Sequence, residues 1–259
     1  MQQPCAPSVT RRCAASATSP VSLRCSVEEQ EYWRDGRGAA RYFGGMILYS
    51  EPTSPYSAVV RVAVYARQLA IEIVAPPGGL KSDAYRALSG TGTVPCLKLD
   101  DGSALPESTV ILAYLDEKFP ERPLLPAGAE ARARARLLVR LGVGGVIDPL
   151  VGLFHDLSAG IATAQATALE RLTAGLGRVE HFLSPEGYAA GPTFTQADCV
   201  LGPALMGPAA FAGMLGAPDL LTRHPKLTAY NTRVAQHPAV AKVLGELQAA
   251  LASNPLPGG

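Results

Sequence analysis

Between Met46 and Phe119 the apolar residues change period again and again, and beyond Ala129 they keep one period to the end; that switch constrains the fold more than any single motif. "MILY" (46–49) is a short apolar run stopped by Pro52 and Pro55, the pattern of a buried strand followed by a loop. Residues 56–69 run helical, with few polar positions besides Arg61, Arg67 and Gln68, so this helix is expected to be buried on several sides. "IEIV" (71–74) alternates as a second strand, and "SDAYRAL" (82–88) makes a short helix capped by Ser82. "CLKLD" turns through "DDG" (100–102) into "SALP" as a hairpin. A last helix from Ser108 sets Ile111, Leu115 and Phe119 at i, i+4 and i+8.

Strand, helix, strand, helix, strand, strand, helix is a thioredoxin-like order. "PERPLLPAG" (120–128) is proline-rich and aperiodic, so it reads as a linker. Helical patterns then cover 129–157, 161–183, 195–215 and 226–252, with no strand signal among them. The expected fold is an α/β thioredoxin-like domain over 46–120 followed by an all-α helical domain over 129–253, with residues 1–45 as an N-terminal extension. Gly142, Gly144, Gly145 and Pro149 fall inside the first long helical pattern, where Pro149 should bend the axis. "FTQAD" (194–198) marks a helix start: Thr195 caps the Asp198 amide while the Asp198 carboxylate reaches back to the Thr195 amide.

Hydrophobic residues make up 47% of the 259, enough for a sizeable core, and the formal charge of +1 offers nothing to recruit nucleic acid or an anionic membrane. No apolar run is read as long enough to span a bilayer. Five cysteines are scattered without pairing or metal-ligand spacing, and the four histidines share no helical face, so no metal is assigned. Residues 1–27 contain Arg11, Arg12 and Arg24 but no acid, and are rich in Ser, Ala and Pro. That is the composition of an organelle transit peptide, and "SLRCS" resembles the end of a plastid-targeting segment; a chloroplast address is expected, with an uncleaved disordered tail on a cytoplasmic protein as the alternative.

Three separated pieces carry chemistry. Ser54 stands just ahead of a helix whose amides and partial positive charge favour an anion, and its hydroxyl can donate one more hydrogen bond. Val94-Pro95 precedes a strand and in a thioredoxin-like fold is commonly cis, turning the Val94 backbone toward a cleft. Glu107 and Ser108 open a helix, so Ser108 and free amides can hold a carboxylate while Glu107 accepts from an ammonium group. Cys96, beside Pro95, reads as a small core side chain, and Arg132, Arg136 and Arg140 at i, i+4 and i+8 as a solvated face.

From Met46 to about Ala252 the chain resembles the cytosolic glutathione transferase family. The likeness rests on "LYSEPTSPYSAVVRVAV", "TVPCLKLDDGSALPESTVILAYLDEKFPERPLLP", "FTQADCVLGPAL" and "HPKLTAYNTRVAQHPAV", in order and at family spacing. It implies a homodimer that uses glutathione as co-substrate, without a metal, on small hydrophobic electrophiles. Carried over by position, Ser54 is the catalytic hydroxyl that stabilises the glutathione thiolate, Val94 and Pro95 pair with its backbone, and Glu107 and Ser108 hold its γ-glutamyl end. Lys81, in "GGLKSD", is a candidate for its glycine end. Ser57 and Tyr56 are second hydroxyls within reach, and Tyr49 also competes. "LYS" and "GGVIDPL" (144–150) look like the zeta class, which includes maleylacetoacetate isomerases, but that class carries Ser-Ser-Cys where this chain has Ser54, Pro55 and Tyr56. Ser-Pro followed by an aromatic is closer to the plant tau pattern. The stretch before Val94-Pro95, "SGTGT", lacks the Asn-Pro and the Lys or Gln common in the family. Conjugation is therefore the first reading, with a zeta-like isomerase and a non-catalytic binding or scaffold protein as alternatives. Disulfide exchange is disfavoured, because it needs Cys where Ser54 stands.

Overall fold

The structure is a computed structural model describing residues 45–253. The transit-like segment and the rest of the extension up to residue 44 lie outside the described residues. A four-stranded sheet has the order β2-β1-β3-β4. Strand β1 (Ile47–Tyr49) runs parallel to β2 (Glu72–Val74) and antiparallel to β3 (Cys96–Lys98), which pairs antiparallel with β4 (Ala104–Pro106). The β3–β4 hairpin closes where Gly102, at φ 86°, donates to the Leu99 carbonyl at 3.0 Å, a left-handed turn that glycine adopts without strain. The Asp101 carboxylate accepts from the Ser103 amide at 2.9 Å and completes the turn.

Helix α1 (Pro55–Ala66) crosses between β1 and β2, and its all-round apolarity has a physical reason. Val60 and Val64 pack with Leu48, Leu97, Ile111, Leu115 and Phe119 against the sheet. Ala58, Val59, Val62 and Ala63 pack the other way, in one cluster with Leu138, Val146, Ile147 and Leu201 of the later helices. One helix thus serves two cores, and the described residues 45–253 lie in one compact unit. Helix α2 (Asp83–Ser89) is capped by the Ser82 hydroxyl, which accepts from the Tyr85 amide at 3.1 Å, and stops at Gly90, φ 73°. Helix α3 (Ser108–Lys118) follows β4 directly. The linker after it is fastened: the Leu124 amide donates to Asp116 at 2.6 Å, the Gln196 amide to the Leu124 carbonyl at 2.8 Å, and Arg122 to the Arg67 carbonyl at 2.7 Å.

The helical half begins with α4 (Ala129–Gly142), a π-helical turn (Val143–Ile147) and α5 (Asp148–Ser158) in one rod. The expected disturbance at Pro149 takes the form of this wider turn. Proline has no N–H to give and its ring crowds the carbonyl four residues back, so an i→i+5 turn just before it relieves both. In that turn the Asp148 amide donates to Val143. Glycine is needed at the same place for a second reason: α6 (Ala164–Phe182) crosses so closely that a Cβ on Gly175 would stand 1.9 Å from the Gly145 carbonyl oxygen. Residues Ala129–Ser158 together are long and apolar enough, by length and composition, to cross a membrane, contrary to the expectation that no such stretch exists. Half of the most apolar window is buried, and Leu138, Val146, Ile147, Leu150 and Leu153 belong to the helical core.

Two helices expected as continuous are divided. The pattern over 195–215 gives α7 (Gln196–Ala204) and α8 (Met206–Ala210), since Pro208 cannot donate to Ala204. That over 226–252 gives α9 (Pro225–Val234) and α10 (Pro238–Ser253), because Pro238 starts a new helix after a turn at 235–237. The start of α7 carries the expected capping box, the Thr195 side chain facing the Asp198 amide and the Asp198 carboxylate the Thr195 amide, and the Thr195 hydroxyl also accepts from Ala197 N–H at 3.2 Å. The fully buried Asp198 carboxylate accepts four bonds, from the Thr195 amide (2.8 Å) and hydroxyl (3.0 Å), the Ala189 amide (2.7 Å) and the Tyr230 hydroxyl (2.9 Å).

Candidate functional site

Strand register brings the three sequence-distant pieces to one end of the sheet. Tyr49 faces Cys96 across β1–β3, and Cys96 faces Pro106 across β3–β4. Ser50, Pro95 and Glu107 are the next residues outward from each, so the loop that carries Ser54, the cis Val94–Pro95 bond and the start of α3 share that end. Convergence is also electrostatic, since the charge of Glu107 is felt at the Tyr56 phenol on the first turn of α1.

Ser54 is the N-cap of α1, in extended conformation, and its Oγ accepts from the Ser57 amide at 3.2 Å. A hydroxyl has one proton and two lone pairs, so this bond leaves the proton available to a ligand anion. The helix end is narrower than the sequence implied. Pro55 has no amide proton, Ser57 donates to Ser54 Oγ and Ala58 to the Ser54 carbonyl at 3.0 Å. Among the described residues, the Tyr56 amide and the Ser54 hydroxyl remain to receive an anion there.

The competing hydroxyls are differently engaged. Ser57 is fully buried, facing the Glu51 amide at 3.5 Å. The Tyr56 hydroxyl donates to the Asp148 carboxylate at 2.6 Å, and burial together with that bond pushes its pKa far above the usual phenol range. Tyr49 is buried edge-on against Tyr85, ring centroids 5.7 Å apart, and burial raises its pKa too. Neither phenol is poised to ionise. Tyr56 instead ties α1 to the first residue of α5, and nothing in the local sequence signals that pairing.

Glu107 is exposed and carries φ 74°, ψ 110°, a backbone conformation that costs a non-glycine residue about 1–3 kcal/mol and persists where its surroundings demand it. It makes no side-chain cap, so the first amides of α3 stay open to a ligand carboxylate beside the buried Ser108. Lys81 is exposed in the turn before α2, without a bond to the other candidates. Cys96 is buried and its thiol is pushed up by that burial, which suits a core side chain. Arg132 and Arg136 line a cavity of about 300 Å³ with Asp116 and Glu117, between α3 and α4, and none of Ser54, Val94 or Glu107 borders it.

Sequence reasoning missed Arg61. Its guanidinium is buried, donates from Nη2 to the Pro52 carbonyl at 2.9 Å, and so holds the loop that ends in Ser54. Only its place on an otherwise apolar helix could have drawn notice.

Residues 48–123 match the family model of the glutathione S-transferase N-terminal domain, and residues 153–246 that of the C-terminal domain. The chain belongs to the glutathione S-transferase family. A probable maleylacetoacetate isomerase 2 of Drosophila melanogaster is 34% identical over 164 residues, covering 61% of this chain and 71% of that protein. A stringent starvation protein A homolog of Coxiella burnetii is 32% identical over 163 residues, 62% of this chain and 74% of its own length. Among solved structures, a glutathione S-transferase of Methylobacterium radiotolerans in complex with glutathione sulfonate superposes with a TM-score of 0.67 at 27% identity, over 76% of this chain and 93% of that one. In this transferase-family chain the π turn and Asp148 lie between the two matched segments, so the Tyr56–Asp148 bond joins a family segment to a stretch outside both.

Proposed function

We propose that this chain binds glutathione at the N-terminus of α1 and adds it, as a thiolate held by Ser54, to small apolar electrophiles. The observation that carries the reading is the Ser54 hydroxyl, whose acceptor side is committed to the Ser57 amide while its proton is uncommitted. A thiolate is the attacking species, and a hydrogen bond to the charged form lowers the thiol pKa. The peptide part of glutathione would pair with the Val94 backbone, and its γ-glutamyl end would set its carboxylate on Ser108 and the open α3 amides, with its ammonium on Glu107. Tyr56 and the π-turn region would border the electrophile. The chain would work as a homodimer, and its leader would direct it to a chloroplast.

A second reading is favoured by the isomerase relative: glutathione adds to a cis double bond, the adduct rotates, and the thiolate leaves again. Glutathione is regenerated in that case. Incubation with glutathione and either 1-chloro-2,4-dinitrobenzene or a maleyl-substituted diketo acid separates the two. Stoichiometric loss of thiol supports conjugation; isomerised product with constant thiol supports isomerisation. Absence of both activities, with no bound glutathione, would overturn the enzyme reading in favour of a binding protein, the third alternative.

A further inference from the structure

The loop that carries Ser54 is not held by its own neighbours in sequence alone. Arg61, one helical turn and a half along α1, is 3% exposed and reaches back to the Pro52 carbonyl. Its Nε lies 3.4 Å from Glu246 Oε2 on α10, close enough for an ion pair although the Nε–H makes no hydrogen bond. Burial disfavours the guanidinium charge, and Glu246 is the carboxylate that offsets it. The other Glu246 oxygen accepts from the Tyr65 hydroxyl at 2.8 Å, and Lys242, one turn earlier on α10, sits 3.7 Å above the Tyr65 ring. A helix near the end of the described chain therefore neutralises the one buried cation that grips the Ser54 loop.

We propose that Glu246 is a positioning residue: through Arg61 it fixes the loop of residues 50–54, and with it the direction in which Ser54 presents its hydroxyl. With Glu246 neutral, the buried guanidinium lacks its counter-charge and relaxes toward solvent, releasing the Pro52 carbonyl. The Tyr65 contact offers a control, because removing it loosens α10 from α1 while leaving the Arg61–Glu246 pair intact. That the loop matters for thiol ionisation rests on the proposed function; that Glu246 holds the loop does not.

The test compares the full chain with Glu246→Gln and Tyr65→Phe by amide hydrogen exchange, and then by the pH at which added glutathione ionises. In Glu246→Gln, exchange of the amides over 50–57 should accelerate on the order of tenfold or more, with α6 amides unchanged and Tyr65→Phe close to wild type in the loop. Loop amides at the wild-type rate in Glu246→Gln would overturn the proposal. So would equal acceleration in Tyr65→Phe, or acceleration spread through α6, since each marks general loosening. The glutathione readout then separates the two claims. A higher ionisation pH in Glu246→Gln supports both, whereas a wild type that binds no glutathione removes the proposed function and leaves loop exchange to decide the role of Glu246.

Discussion

Replacing Ser54 by aspartate rather than alanine separates two jobs that one oxygen performs in this structure. Ser54 Oγ caps α1 by accepting from the Ser57 amide, and its proton is the donor assigned to the glutathione sulfur. Alanine removes both. Loss of the cap should cost about 0.5–2 kcal/mol, a fall in Tm of roughly 1–8 °C for a folded region of this size. Loss of a hydrogen bond to a charged sulfur costs about 1.5–3 kcal/mol, which raises the bound thiol pKa by about one to two units. Aspartate caps about as well as serine and suits the positive end of a helix, so its Tm should stay near wild type. It has no proton to give at neutral pH and repels a thiolate, so bound glutathione should be protonated. Thermal unfolding and ultraviolet absorbance of the thiolate across pH read the two effects separately. A Ser54→Asp variant that still lowers the thiol pKa, or a Ser54→Ala variant that leaves it where wild type sets it, would refute the assignment of the hydroxyl as donor.

Tyr56→Phe should leave thiol ionisation unchanged, because this phenol donates to Asp148, and should lower stability by about 0.5–1.5 kcal/mol in denaturant titration. Gly175→Ala should destabilise by more than about 3 kcal/mol or prevent folding, since the added Cβ meets the Gly145 carbonyl at 1.9 Å, whereas Gly152→Ala in α5 meets nothing within 4 Å and should stabilise by up to about 1 kcal/mol. His237 stacks on Phe194 at 3.9 Å, accepts from the Ala239 amide through Nδ1, and burial lowers its pKa below that of free histidine. The unfolded chain then takes the proton first, so this group lowers stability as pH falls from about 6.5 through its folded pKa. In His237→Gln the slope of unfolding free energy over that window should flatten.

What the sequence disclosed was local. The double-sided burial of α1 showed in its missing polar stripe, the α2 and α7 starts in Ser82 and Thr195, and the β3–β4 turn in "DDG", because each is settled by neighbours within a few positions. The four donors around Asp198 could be foreseen in part: Thr195 stands three residues away, but Ala189 and Tyr230 come from other elements. The close crossing at Gly145 needed knowledge of Gly175 on another helix, and Pro149 alone pointed only to a bend, not to a π turn. Tyr56 finds Asp148 across 92 residues and Tyr65 finds Glu246 across 181, distances over which periodicity carries no information. The site followed the same division. Ser54 was visible as a cap before a helix, whereas its helix end proved poorer in free amides because Pro55 has no N–H and Ser57 and Ala58 commit theirs to Ser54. The buried grip of Arg61 on its loop showed in the sequence only as a charge on an otherwise apolar helix, with nothing to name its partner.

The proposed chemistry requires glutathione to be held as a thiolate at the start of α1. Titrating glutathione into the full chain near neutral pH, with thiolate absorbance as the signal, tests that directly. Saturable absorbance at a pH well below the pKa of free glutathione, lost in Ser54→Asp, is the expected result. No saturable signal at millimolar glutathione would contradict it.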